Sequence, residues 1–404
     1  MREQYPEVHE PVVSPDGERV AVVVRTEEDD EVYGVWTDGA VWEEEFEKAW
    51  SLRFTPDGRL VALVRQDEEW TVGVDGKLWE GRFEFLWNLQ LSGDGKAIGV
   101  QAKHEDAYTI AVDGRIWERG FPSCRDYVLS HDGSHVAATV QVEKLAEGDI
   151  FKFLEGLWTI AVDGTPWEER FLNVYGPVLS DDGSRVAAEV RLDIAEYTIA
   201  QDARRWSESF GMVWRPAFCP GSGRLLAPVR LDGTWTLAEE GQLLWKGRYV
   251  QLWHQRTSPD GSRVAAVVAP SFGQWTVAVD DQPWDTKVRD MVDAPVFSPD
   301  GRRVAAAVKD AGHWTVAVDG KLWSRTFDMV WDPIFCADGE RVVARVEEGG
   351  ARTLAVDGHP WRQRFEQLWE PAFSPDGTLV LVRGVQGGQY FRQVVPLNEL
   401  VRGG

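Results

Sequence analysis

The chain has 404 residues, with 66 Asp and Glu against 43 Lys and Arg and a formal net charge of −23. That balance argues against nucleic acid or an anionic membrane surface as a direct partner and favours a basic or metal-bearing one. Three cysteines, Cys124, Cys219 and Cys336, share no close spacing and leave an odd thiol, so no disulfide framework is expected.

At the N-terminus, Met1 to Val8 is polar and does not read as a signal peptide. No apolar run along the chain is long enough to span a bilayer, and a cytoplasmic protein is expected. The first structural marker is the Asp-Gly turn at Asp16, which recurs at Asp57, Asp94, Asp132, Asp182, Asp260, Asp300, Asp338 and Asp376, with a degenerate copy at Ser222-Gly223. Copies stand roughly 40 residues apart, except for a longer gap between Asp132 and Asp182.

The cleanest copy, Arg303 to Gly339, shows what one repeat contains. Strand B is the small apolar run Arg-Val-Ala-Ala-Ala-Val, which suits burial on both faces. Strand C alternates, with Trp314, Val316 and Val318 on one face and Thr315 and Ala317 on the other. Strand D carries Trp323 and Phe327, and strand A runs into the next Asp-Gly turn. Asp and Gly favour these turns because Gly accepts positive φ and Asp bonds its own backbone.

A four-stranded repeat of this length predicts a β-propeller of about ten blades, in one domain over 1–404 and in a single closed ring. Two further columns support the repeat. A Trp marks strand D at Trp42, Trp79, Trp117, Trp167, Trp206, Trp284, Trp323 and Trp361, displaced by one at Trp245, and four residues further on lies an aromatic in most copies, at Phe46, Phe83, Phe121, Phe171, Phe210, Tyr249, Phe327 and Phe365. Counting back from Asp16 places the tenth D position at Met1 and its following aromatic at Tyr5, so the N-terminal strand is expected to close the last blade. After Asp376-Gly377 the chain supplies strand B (Thr378 to Arg383) and a C-like strand (Gln389 to Pro396), and then ends.

Chemistry-bearing motifs are sparse. Only His131 and His135 have ligand-like spacing, and no Cys or carboxylate cluster completes a site there. There is no Cys-x-x-Cys-His, no cysteine array for an iron–sulfur cluster, no nucleophile elbow and no phosphate-binding loop. The expectation is a protein that is not an enzyme, with no catalytic, metal or cofactor-binding residues of its own. A hydrolase would need an unrepeated cluster of acids.

Candidate binding residues come from a third column, just before strand A: Trp50, Trp87, Tyr175, Trp214, Trp253, Trp331 and Trp369, broken by His9, Arg125 and Val292 or Asp293. Indoles there offer a surface for a partner, although packing between adjacent blades would also explain a regular column. The long gap inserts roughly Glu143 to Leu157 between strands B and C of the fourth repeat. Its Asp149-Ile-Phe-Lys-Phe-Leu154 segment puts Phe151 and Phe153 on a loop, where function tends to sit, and a short helix folded onto its own blade is the alternative.

The Ser-Pro-Asp-Gly turns followed by Arg-Val-Ala resemble WD40-like repeats of the TolB type over almost the whole chain. Together with 21 tryptophans, the pattern also resembles the TmcD family, the tryptophan-rich subunits of the transmembrane redox complexes of sulfate-reducing bacteria. The first resemblance implies the propeller. The second implies a scaffold or interaction subunit of an electron-transfer complex, on the cytoplasmic side and peripheral to the inner membrane. Its partners would be an iron–sulfur subunit, a membrane cytochrome b and a multihaem cytochrome c. A stand-alone ligand- or glycan-binding propeller that stacks its ligand on the Trp column is the other function considered.

Overall fold

A computed structural model describes residues 4–27, 31–145 and 148–402. The chain is an all-β β-propeller of ten blades, each an antiparallel sheet. The third blade is typical: strand A Phe85–Leu91, B Ile98–His104, C Ala107–Val112 and D Arg115–Ile116 pair in that order. D continues past its short ladder to a bridge with the start of C, as in Tyr108 with Phe121.

The residues group into two compact units, Met1–Ile194 with Ala200–Arg205, and Ala195–Ile199 with Trp206–Gly404. Within each unit the hydrophobic clusters lie between consecutive blades. In the first, Leu63, Trp70 and Phe83 of blade two pack with Leu86, Ile98 and Val100 of blade three. In the second, Val316 and Phe327 of blade eight pack with Val330, Val342 and Val346 of blade nine. Strand B is buried on both faces, which is why its run is continuous and rich in Ala and Val.

The eighth blade shows what the repeated polar residues do. Ser298 Oγ donates to Asp300 Oδ1 at 2.6 Å and accepts from Arg303 N at 3.0 Å, closing the A–B turn over Gly301. The C–D turn has φ of 49° at Asp319 and 77° at Gly320, the pairing that a tight hairpin turn demands. Asp319 Oδ1 accepts from Val304 N at 2.9 Å, and Oδ2 pairs with Arg303 Nε at 2.9 Å. Arg303 Nη1 then donates to Glu340 O at 2.5 Å in the next blade's turn. Trp323 lies against Gly358 of that blade's C–D turn. The repeated Asp residues therefore serve turns and blade-to-blade contacts. In the same role, Asp260 is held down at about 2, first by the Ser258 hydroxyl and then by the Ser262 backbone.

The two ends of the chain differ in part from expectation. Met1 lies outside the described residues, and Tyr5 sits in a bend ahead of Glu7–Val8, the first strand of blade one. After strand C of the tenth blade (Gln389–Pro396) the chain does not stop but forms a helix, Leu397–Arg402. That helix packs on strands C and D of the ninth blade and buries Leu400 completely. Burying one leucine gives a terminal turn its anchor.

Candidate functional site

In both units the third aromatic column and the B–C hairpins share one end of each blade. Trp50 pairs in register with Leu63, close to the hairpin that joins Gln66 to Glu69. What covers these rings is chiefly their own blade. Trp50 stacks on Trp70 of strand C at 4.5 Å and 20°. Trp214 stacks on Trp235 at 5.3 Å and 5°, Trp253 leans on Trp275 at 4.8 Å, and Trp369 meets Tyr390 edge-on at 5.9 Å. The guanidinium carbons of Arg345 and Arg352 lie 5.3 Å and 5.4 Å from the centre of the Trp331 ring.

Trp50 and Trp214 are thus each half of a two-ring stack running from strand A to strand C, whereas Trp87 and Trp369 meet a strand-C ring edge-on and Trp253 also packs against the core shared with the next blade. In the first unit the blade-to-blade contribution comes from Phe85 of blade three, which meets Trp50 and Trp70 edge-on and stacks on Trp87. The six tryptophans do not form one exposed girdle: Trp50 at 38 % and Trp214 at 40 % are exposed, whereas Trp87, Trp253, Trp331 and Trp369 are half-buried.

The insertion in blade four departs furthest from the repeat. Ile150–Leu154 is a helical turn rather than a loop, with Asp149 as N-cap accepting from Lys152 N at 3.0 Å. Gly156, at φ 85°, ends it against the Phe171 backbone, where a Cβ would lie 3.1 Å away. Glu143 ties the turn down, pairing with Lys152 Nζ at 3.0 Å and Arg170 Nη1 at 2.5 Å. These partners, Arg170 first, hold its carboxyl below the usual glutamate range. Phe153 turns inward, whereas Phe151 is 84 % exposed beside an exposed Ile150.

Beneath this turn lies a cleft of about 550 Å³, lined among others by Phe153, Arg125, Lys144, Gln141, Trp158 and Asn173. The Arg125 guanidinium sits 3.7 Å over the Trp158 ring and donates to Asn173 Oδ1 at 3.0 Å. Sequence reading registered Arg125 only as a break in the Trp column. The usable signal was that the break falls in the repeat carrying the insertion.

In the second unit, polar groups collect near the bulges of strand A. Burial, then Arg256, pushes His254 toward its neutral form, and burial together with Asp332 raises the Asp293 carboxyl. Among the described residues no group of three or more His, Cys, Asp and Glu side chains is placed to hold a metal ion. Each of the three cysteines is buried and unpaired, and burial pushes the Cys124 thiol up to about 12.

Comparison with protein-family models and with curated proteins gives no match. Among solved structures the chain is similar to one titled a eukaryotic initiation factor, at 12% identity and a TM-score of 0.47, covering 89% of this chain and 96% of that one. It is also similar to the Dos1 propeller, at 11% identity and a TM-score of 0.36, covering 95% of this chain and 91% of that one.

Proposed function

We propose that this chain is a non-catalytic scaffold that docks a protein partner through the insertion turn of blade four. The observation that carries the reading is Phe151, 84 % exposed on a turn that Asp149 caps and Glu143 pins. A large apolar side chain held out on a rigid support is suited to a partner contact. The repeat pattern and tryptophan content support a finer assignment, a subunit of a membrane-associated electron-transfer complex. Its partners are then an iron–sulfur subunit, a membrane cytochrome b and a multihaem cytochrome c, and the protein itself works without a cofactor on the cytoplasmic side.

The test is purification of tagged wild type and Phe151→Asp from native host membranes in mild detergent, with mass spectrometry and a visible spectrum. Wild type is expected to bring down iron–sulfur and cytochrome subunits, and Phe151→Asp to lose them with its melting temperature unchanged. Wild type recovered alone, or a variant that retains every partner, refutes the docking assignment. The exposed indoles of Trp50 and Trp214 favour a second reading, a ligand- or glycan-binding propeller. That reading requires sugar-dependent fluorescence quenching that disappears in Trp50→Ala.

A further inference from the structure

We propose that the cleft beneath the blade-four turn binds a small organic anion, a carboxylate or phosphate group carried on an apolar ring. The inference does not depend on the partner contact at Phe151, which points the other way. At about 550 Å³ the cleft falls in the size range of small-molecule sites. Among the described residues its lining contains two cations, Arg125 and Lys144, and no carboxylate. That is the opposite of the chain as a whole, where 66 acids outnumber 43 bases.

The arrangement of the cations decides the ligand chemistry. The Arg125 guanidinium carbon lies 3.7 Å over the Trp158 ring, so one face of the group is covered and its N–H donors lie around the edge. One of them, Nη1, is held by Asn173 Oδ1 at 3.0 Å, which fixes the plane. A guanidinium so oriented presents its remaining N–H groups edge-on, the geometry that engages two oxygens of a carboxylate or phosphate. Lys144 supplies a second positive charge, and among the described residues it makes no ion pair. Phe153 and Leu157 give the apolar wall. The insertion builds the site: Lys144, Phe153 and Leu157 all lie between Gln141 and Trp158, whereas blades two, three and five to ten join B to C by a two-residue hairpin.

The experiment is calorimetric titration of the full chain with phenylacetate, phenyl phosphate and the neutral 2-phenylethanol, each up to about 5 mM, an adequate range for fragments of this size. At least one anion is expected to bind, with the preferred anion separating a carboxylate site from a phosphate site and the neutral analogue silent. Arg125→Gln and Lys144→Gln should each weaken binding about tenfold, and raised salt should weaken it further. Lys144 is exposed and among the described residues in no ion pair, so its variant reports even if the loss of the Arg125 stack unsettles the blade. Silence with both anions, equal binding of 2-phenylethanol, or wild-type affinity in Lys144→Gln overturns the proposal.

Discussion

Glu189 gives the sharpest test of the physical reading. It lies in strand B of the fifth blade (Val186–Asp193), in register with Tyr175, and is only 9 % exposed. Among the described residues it has neither an ion-pair nor a hydrogen-bond partner. Burial alone lifts its carboxyl from the ordinary value of 4.5 to about 7. A carboxyl that binds its proton more tightly in the fold than in the unfolded chain favours the fold below about 4.5, and that advantage is lost as pH rises through about 7. The charged form therefore penalises folding by about 1 kcal/mol near pH 5.5 and about 3 kcal/mol near pH 8.5. Glu189→Gln keeps the shape and removes the titration. Any cost of burying the amide is the same at both pH values and cancels. Urea denaturation of both proteins at the two pH values should show the variant's advantage growing by about 2 kcal/mol from the lower to the higher. An advantage equal at both, or one that shrinks toward alkaline pH, refutes the assignment of a buried, unpaired carboxyl.

Other outcomes follow from the repeat. Asp319→Ala should cost about 2 kcal/mol in denaturation experiments, because it orphans Val304 N–H and leaves alanine at φ 49°. Asp319→Asn keeps an acceptor and tolerates that φ, so a loss as large as alanine's would contradict the role given to the side chain. For the cysteines, a thiol reagent such as Ellman's should find none of the three reactive in the folded protein near pH 8 and all three after denaturation, since each is buried.

The turns and strands were legible because their residue types are dictated locally. Asp-Gly pairs mark hairpins at every repeat, and the Ala-Val runs of strand B mark burial on both faces. The insertion was legible as an interruption of spacing, but its helical form was not, because one turn capped by Asp149 carries too few residues for a periodic signal. The closing helix Leu397–Arg402 was missed for the same reason, with Leu400 as its buried anchor. The partners of the Trp column were missed because each lies about twenty residues on, across strand B, as Trp70 does for Trp50. Buried polar departures such as Gln101 and Glu189 occupy strand B in single repeats, where one sequence cannot separate them from drift.

Those stacks explain how charge enters the rim without loss of packing. Blades two and six set a flat ring of strand A on a flat ring of strand C, Trp50 on Trp70 and Trp214 on Trp235. Blade four keeps Trp158 in strand C and replaces the strand-A ring by Arg125, whereas blade nine keeps Trp331 in strand A and replaces the strand-C ring by Arg352. Both exchanges are physically conservative, because a guanidinium is planar, weakly hydrated and attracted to an indole face. A lysine in either place would lose the plate and keep only the charge. Arginine therefore puts fixed, oriented hydrogen-bond donors into an acidic scaffold by a single residue change while the blade retains its stack. In blade four that change coincides with the insertion, and a cleft with a cationic lining results.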